Sequence, residues 1–135
     1  NNPTYTHVTQ DIVKFFSEKL PMLHDMGVHD TIVDVGFGFG KTLDHNYQLL
    51  RELNAFQLLG RPILSGVSRK SMIYKALGTS AEEALNGTTA LHMAALVGGS
   101  QILRVHDVKE AVETITLFQH LYPQGITHVL PAWER

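Results

Sequence analysis

Residues 34–46 read DVGFGFGKTLDHN, and how this stretch is understood decides the fold. The β-branched run Thr31 to Val35 leads into it, glycines stand at 36, 38 and 40, and Gly40-Lys41-Thr42 closes it. Two nucleotide-binding readings fail on spacing. A P-loop, G-x-x-x-x-G-K-[ST], needs a glycine where this chain has Val35, whose Cβ would sit where backbone must wrap phosphate. A dinucleotide turn, G-x-G-x-x-G, needs its last glycine where Lys41 stands and should open directly into a helix. Here Asp44-His45-Asn46 reads as the helix start. What remains is a glycine-rich loop at the end of a strand, with the carboxylate of Asp34 before it and two aromatics, Phe37 and Phe39, inside it.

Working outward, the apolar pattern switches between two periods. From Thr9 to Met26, Ile12, Val13, Phe16, Leu20 and Leu23 recur at helical spacing, with Gly27 as a stop and Pro21 expected to kink or split the helix. Thr31 to Val35 is a buried strand, and Asp44 to Leu59 a helix ended by Gly60 and Pro62. Ile63 to Val67 is the second strand, and Ser68 to Leu77 a short helix. Ser80-Ala81-Glu82-Glu83 has the form of a capping box, opening a helix through Leu96. Gln101 to His106 is the third strand, and Asp107-Val108-Lys109-Glu110 caps a last helix to Leu121. The segment 123–135 is irregular, so residues 1–122 carry the fold. The order αβαβααβα is the rhythm of an α/β fold with a parallel sheet and right-handed crossovers. A doubly wound sheet and a (β/α)₈ barrel both use it. A barrel needs about 250 residues, so this chain can hold only part of one.

Composition narrows the classes. The chain has 135 residues, 44% of them hydrophobic, and a formal net charge of −2, which suits one globular domain and no electrostatic nucleic-acid partner. It has no cysteine, which removes disulfides and thiolate metal sites and fits a reducing, cytoplasmic setting. None of its eight histidines has helical metal spacing. No apolar run approaches membrane-spanning length, and no secretory signal opens the chain. Asn86-Gly87-Thr88 is therefore read as a chance match to a glycosylation acceptor. The opening Asn1-Asn2-Pro3-Thr4 has no initiator methionine and reads as the middle of a longer protein.

Both parallel architectures put chemistry at the carboxyl ends of strands. The first strand ends in Asp34, the second runs into Gly66-Val67-Ser68-Arg69-Lys70, and the third carries Arg104 and His106 alternating with Leu103 and Val105. Each has a plain structural reading. Asp34 could cap its own loop, Ser68 could cap a helix, Arg104 could pair with Asp107, His106 could be a hydrogen-bonded core histidine, and Lys41 could be a solvated loop charge. Together they describe a rim. An ionised Asp suits a paired N–H edge such as an amino-pyrimidinone. Two arginines and a histidine suit phosphate or pyrophosphate. An aromatic on the glycine loop suits a flat substrate.

The motifs DVGFGFGKTLDHNYQLL, GVSRKSMI and RVHDVKEAV stand in the order and spacing of the dihydropteroate synthases. The sequence resembles the C-terminal half of a bacterial member, over nearly the whole chain. The resemblance implies a (β/α)₈ barrel of folate biosynthesis, a sulfonamide target and homodimer, that joins 6-hydroxymethyl-7,8-dihydropterin pyrophosphate to p-aminobenzoate. It implies that Asp34, Gly66 and Lys70 meet the pterin, that Phe39, Ser68 and Arg69 line the p-aminobenzoate site, and that Arg104 and His106 hold pyrophosphate. Arg104, His106 and Lys70 would be the catalytic set. Magnesium is implied as well, on a ligand from the half that precedes this segment. The segment by itself is then expected to be an inactive half-site, kept in shape by that other half as a nicked chain or by self-association. Val35 replaces the proline usual at the family's Asp-Pro-Gly. A pterin-binding methyltransferase domain with a corrinoid partner shares the pterin carboxylate but has less use for SRK and RVHD. A non-catalytic pterin-binding fragment is the non-enzyme alternative.

Overall fold

Three short parallel strands in the order β1-β2-β3 organise the molecule: β1 (Val33–Asp34), β2 (Ile63–Ser65) and β3 (Ile102–Leu103). The computed structural model describes residues 7–126. Val33 pairs with Ile63, Asp34 with Leu64, Leu64 with Ile102, and Ser65 with Leu103. Paired positions in a parallel sheet point the same way, and neighbours along a strand point oppositely. Val33, Ile63, Ser65 and Leu103 therefore share the face against the helices. Asp34, Leu64 and Ile102 share the other, and alternation puts Ile32 and Arg104 there too. That face is where the chemistry gathers.

Helices cover only the first face: α1 (Val8–Asp25), α2 (Leu43–Arg51), α3 (Ser71–Leu77), α4 (Leu85–Val97) and α5 (Val108–Leu121). The core joins Val33, Leu49, Leu53, Phe56, Ile63 and Ile73, all essentially without solvent contact. Removing a side chain such as Phe56 from such a core costs about 3–5 kcal/mol. The helices α3 and α4 approach closely at Gly87, where a Cβ would stand 2.5 Å from Ile73 Cγ2. With α/β order, parallel register and helices on one face, the fold class is the one expected: part of a (β/α)₈ barrel.

Several local expectations are corrected. Helix α1 is continuous through Pro21 and is not split. Proline removes a hydrogen bond to the carbonyl four residues back. Both Pro21 and Ser17 are exposed, so water can serve that carbonyl instead. Helix α2 starts earlier than Asp44. Thr42 caps it, its Oγ1 accepting from His45 N at 3.1 Å. It also ends sooner: a 3₁₀ segment, Leu53–Leu59, follows and stops at the left-handed Gly60. The Ser80 capping box does not form. Residues Ala81–Glu83 make one 3₁₀ turn without a side-chain cap, and α4 begins only at Leu85. Asp107 occupies the N-cap position of α5 but caps nothing, because its carboxylate is engaged elsewhere. All three strands are shorter than their apolar runs. Of the irregular segment 123–135, residues 127–135 lie outside the described residues.

Candidate active site

The glycine loop is fastened from several sides. Gly36 and Gly38 have φ of 75° and 91°, a region in which a Cβ is strained, so the turn depends on glycine there. Asp34 Oδ1 accepts from Gly36 N at 2.9 Å. Lys41 Nζ donates to Gly36 O at 2.6 Å. The buried Asn46 accepts from Gly38 N through Oδ1 at 2.8 Å and donates from Nδ2 to Thr42 O at 2.9 Å. Phe37 points into the core, whereas Phe39 is 68% exposed at the loop's crest.

The second strand end meets the first through Lys70. Its Nζ donates to Phe37 O at 2.8 Å and lies 5.5 Å from the centre of the Phe39 ring, a cation–π distance. Burial pushes the Lys70 ammonium below its usual range. The Arg104 cation and, less strongly, Lys41 push the same way, and Asp34 opposes. Burial lowers Lys41 too, again against Asp34. The loop thus concentrates positive charge that is poorly solvated and close to one carboxylate.

The third strand end closes the rim. Arg104 Nη1 donates to Asp34 Oδ2 at 2.9 Å, with side chains 53% and 38% exposed. The guanidinium lies across Gly66, where a Cβ would come within 2.5 Å of Nη2 and 3.0 Å of Cζ. Glycine at 66 therefore makes room for Arg104. Ser68 Oγ accepts from His106 N at 3.2 Å and lies 2.8 Å from His106 Nδ1. The two contacts tie Ser68 to both the backbone and the ring of His106.

Asp107 belongs to a different residue than expected. Its two oxygens accept from Arg69 Nε and Nη2 at 2.9 and 3.0 Å, so the Arg104–Asp107 pair does not form. The hydrogen bond from Arg69 holds the Asp107 carboxyl below its usual range.

Two cavities border this rim. One of about 400 Å³ lies between Asp34, Val35 and Lys41 and the residues Asp11, Ile12, Phe15 and Phe16 of α1. Another of about 330 Å³ runs along Phe37, Gly38, Phe39, Lys70, Ser71 and Tyr74. Among the described residues no group of three or more histidines and carboxylates is placed to hold a metal ion. Among these residues the donor set does not fit magnesium.

Residues 1–106 match the family described as pterin binding enzyme. The chain belongs to the pterin-binding enzyme family. Its relatives include the dihydropteroate synthase of Haemophilus influenzae, 40% identical over 120 residues, a match spanning 87% of this chain and 44% of that protein. The crystal structure of the Yersinia pestis dihydropteroate synthase superposes with a TM-score of 0.86 and 37% identity, over 90% of this chain and 51% of that one. A Thermus thermophilus dihydropteroate synthase in complex with 4-aminobenzoate gives 0.84 and 36%, over 88% and 49%. The chain thus spans about half the length of the relatives it matches, and the resemblance seen in its motifs holds across both sequence and structure.

In this member of the family, the structure gathers Asp34, Lys70 and Arg104 with Phe39 and Gly66 on one rim, and sets Ser68, His106 and Arg69 beside them. Sequence reasoning missed Asn46, Thr88 and the Arg69–Asp107 pair. Asn46 carried a signal: a buried asparagine one turn past a glycine loop is placed to bind loop backbone. Thr88, buried and accepting from Arg69 N at 3.0 Å, carried none.

Proposed function

We propose that this chain forms one side of the active site of a dihydropteroate synthase, which condenses 6-hydroxymethyl-7,8-dihydropterin pyrophosphate with p-aminobenzoate. The observation that carries the reading is the convergence of Asp34, Lys70 and Arg104 from three successive strand ends, in a family whose relatives bear that name. Asp34 meets the amino-pyrimidinone edge, and Lys70 the pterin ring. Phe39, Ser68 and Arg69 line the p-aminobenzoate side. Arg104 and His106 receive pyrophosphate.

The chemistry asked of these groups is electrostatic and positional. The C–O bond to pyrophosphate breaks, and its electron pair leaves with the anion toward Arg104 and His106. The aniline nitrogen then closes a C–N bond to the pterin methylene and releases a proton to solvent. No covalent nucleophile is required. In the state described here Arg104 sits on the carboxylate assigned to the pterin. Exposed ion pairs contribute about 0–1 kcal/mol, so a ligand can displace Arg104 cheaply. The freed guanidinium is then available to pyrophosphate. Magnesium, the remaining barrel strands and a dimer partner belong, in this reading, to parts of the enzyme outside these residues.

The test is turnover by the full-length chain that carries this segment. Supplied with pterin pyrophosphate, p-aminobenzoate and magnesium, it is expected to release dihydropteroate and pyrophosphate. A folded full-length protein that binds neither substrate would sink the assignment.

A further inference from the structure

Arg69 is the only non-glycine among the described residues with a positive φ, at 53°. Left-handed backbone is strained for an ordinary residue, and it persists only where surrounding structure imposes it. Contacts to α4, to the 3₁₀ turn and to Asp107 impose it here. Arg69 N donates to Thr88 Oγ1 of α4 at 3.0 Å. Nη1 donates to Ala81 O at 2.7 Å and Glu82 O at 3.0 Å, in the 3₁₀ turn. Nε and Nη2 form the fork onto Asp107. Four of the five guanidinium N–H groups are thereby committed within the protein. The neighbours on either side reach into the rim: Ser68 to His106 and Lys70 to Phe37 O. Ser68–His106 and Arg69–Asp107 are two rungs between the same pair of loops.

We propose that Arg69 and Asp107 are positioning residues, a strut that sets Ser68 and Lys70 for reaction, and that Arg69 does not grip the p-aminobenzoate carboxylate. The inference rests on the reaction proposed above. A planar fork braced on both the 3₁₀ turn and Asp107 fixes the loop in a way that a single ammonium cannot, so lysine is a poor substitute. A misplacement of about 1 Å in such a loop costs on the order of a hundredfold in rate.

The experiment uses full-length enzyme with p-aminobenzoate and, in parallel, with aniline, which lacks the carboxylate. Wild-type turnover tests the reaction; the variants test the strut. Arg69→Lys and Asp107→Asn are each expected to lower kcat about tenfold to a hundredfold on both amines, with little change in KM for p-aminobenzoate. The double variant is expected to be no worse than the worse single one, as for residues acting as a unit. A raised KM confined to p-aminobenzoate in Arg69→Lys, with aniline unaffected and Asp107→Asn near wild type, would overturn the strut. Amide exchange at residues 68–71 reads the same question without substrate. Arg69→Lys is expected to speed it, and exchange unchanged from wild type would overturn the inference whatever the reaction.

Discussion

Two residues decide how the rim handles charge. Asp34 spends one oxygen on Gly36 N and the other on Arg104, so both lone-pair sets are already directed. Asp34→Asn keeps the volume but turns one acceptor into a donor facing the pterin N–H edge. Pterin affinity in the full-length enzyme is expected to fall by about 2–4 kcal/mol, the cost of spoiling one side of a charged hydrogen bond. Calorimetry within threefold of wild type would make Asp34 a loop cap only. Gly66 is the subtler position. A Cβ there collides with the far end of Arg104, a flexible group, so the fold survives and the guanidinium is displaced. Gly66→Ala is expected to weaken binding of the pyrophosphate-bearing pterin at least tenfold, while the bare pterin alcohol changes much less. The melting temperature should stay near wild type. Equal losses for both ligands would place the effect at the pterin ring and remove Arg104 from the pyrophosphate role.

Elements were legible in the sequence to the extent that apolar period defines them. Five helices and three strands were expected and found in that order, because buried periodicity does not depend on partners. Boundaries failed where a long-range partner intervened. Ser80-Ala81-Glu82-Glu83 has a capping-box pattern, yet Ala81 O and Glu82 O turn toward Arg69 and the turn stays 3₁₀. Asp107 fails as a cap for the same reason. The site was legible as a set of residues at strand ends but not as a wiring diagram: Asp107, close in sequence, is the carboxylate expected for Arg104, whereas the fold gives Arg104 to Asp34 and Asp107 to Arg69. Helix α4 hides a further case. Its His92 is buried, and Nε2 has no hydrogen-bond partner among the described residues. Burial lowers its pKa from 6.5, opposed by Asp107. The unfolded chain then takes up a proton near pH 6.5 that the folded chain refuses, so stability is complete above that value and declines as pH falls below it. Urea midpoints are expected to drop as pH falls below about 6.5, and His92→Gln to flatten that slope. An unchanged slope would assign the acid sensitivity to another group.

At the scale of the molecule, β1 and β3 each pair on one side only among the described residues, and Ile32, 56% exposed, sits on the face without helices. Unpaired edges recruit other strands. The 135-residue polypeptide by itself is therefore expected to self-associate in sedimentation and to show no turnover. A monodisperse, active monomer would contradict both expectations. The rim has one more property of this kind. Among the described residues, the hydrogen bonds that shape it, from Asp34–Gly36 to Arg69–Asp107, close between residues 34 and 107. In genetic terms this side of the site is one linkage block. A recombination crossover upstream of α1 would exchange it whole between related genes, with no bond inside it cut, whereas a crossover between the second and third strands would separate Ser68 from His106 and Arg69 from Asp107. Mosaic alleles of such genes should therefore carry their junctions outside this interval.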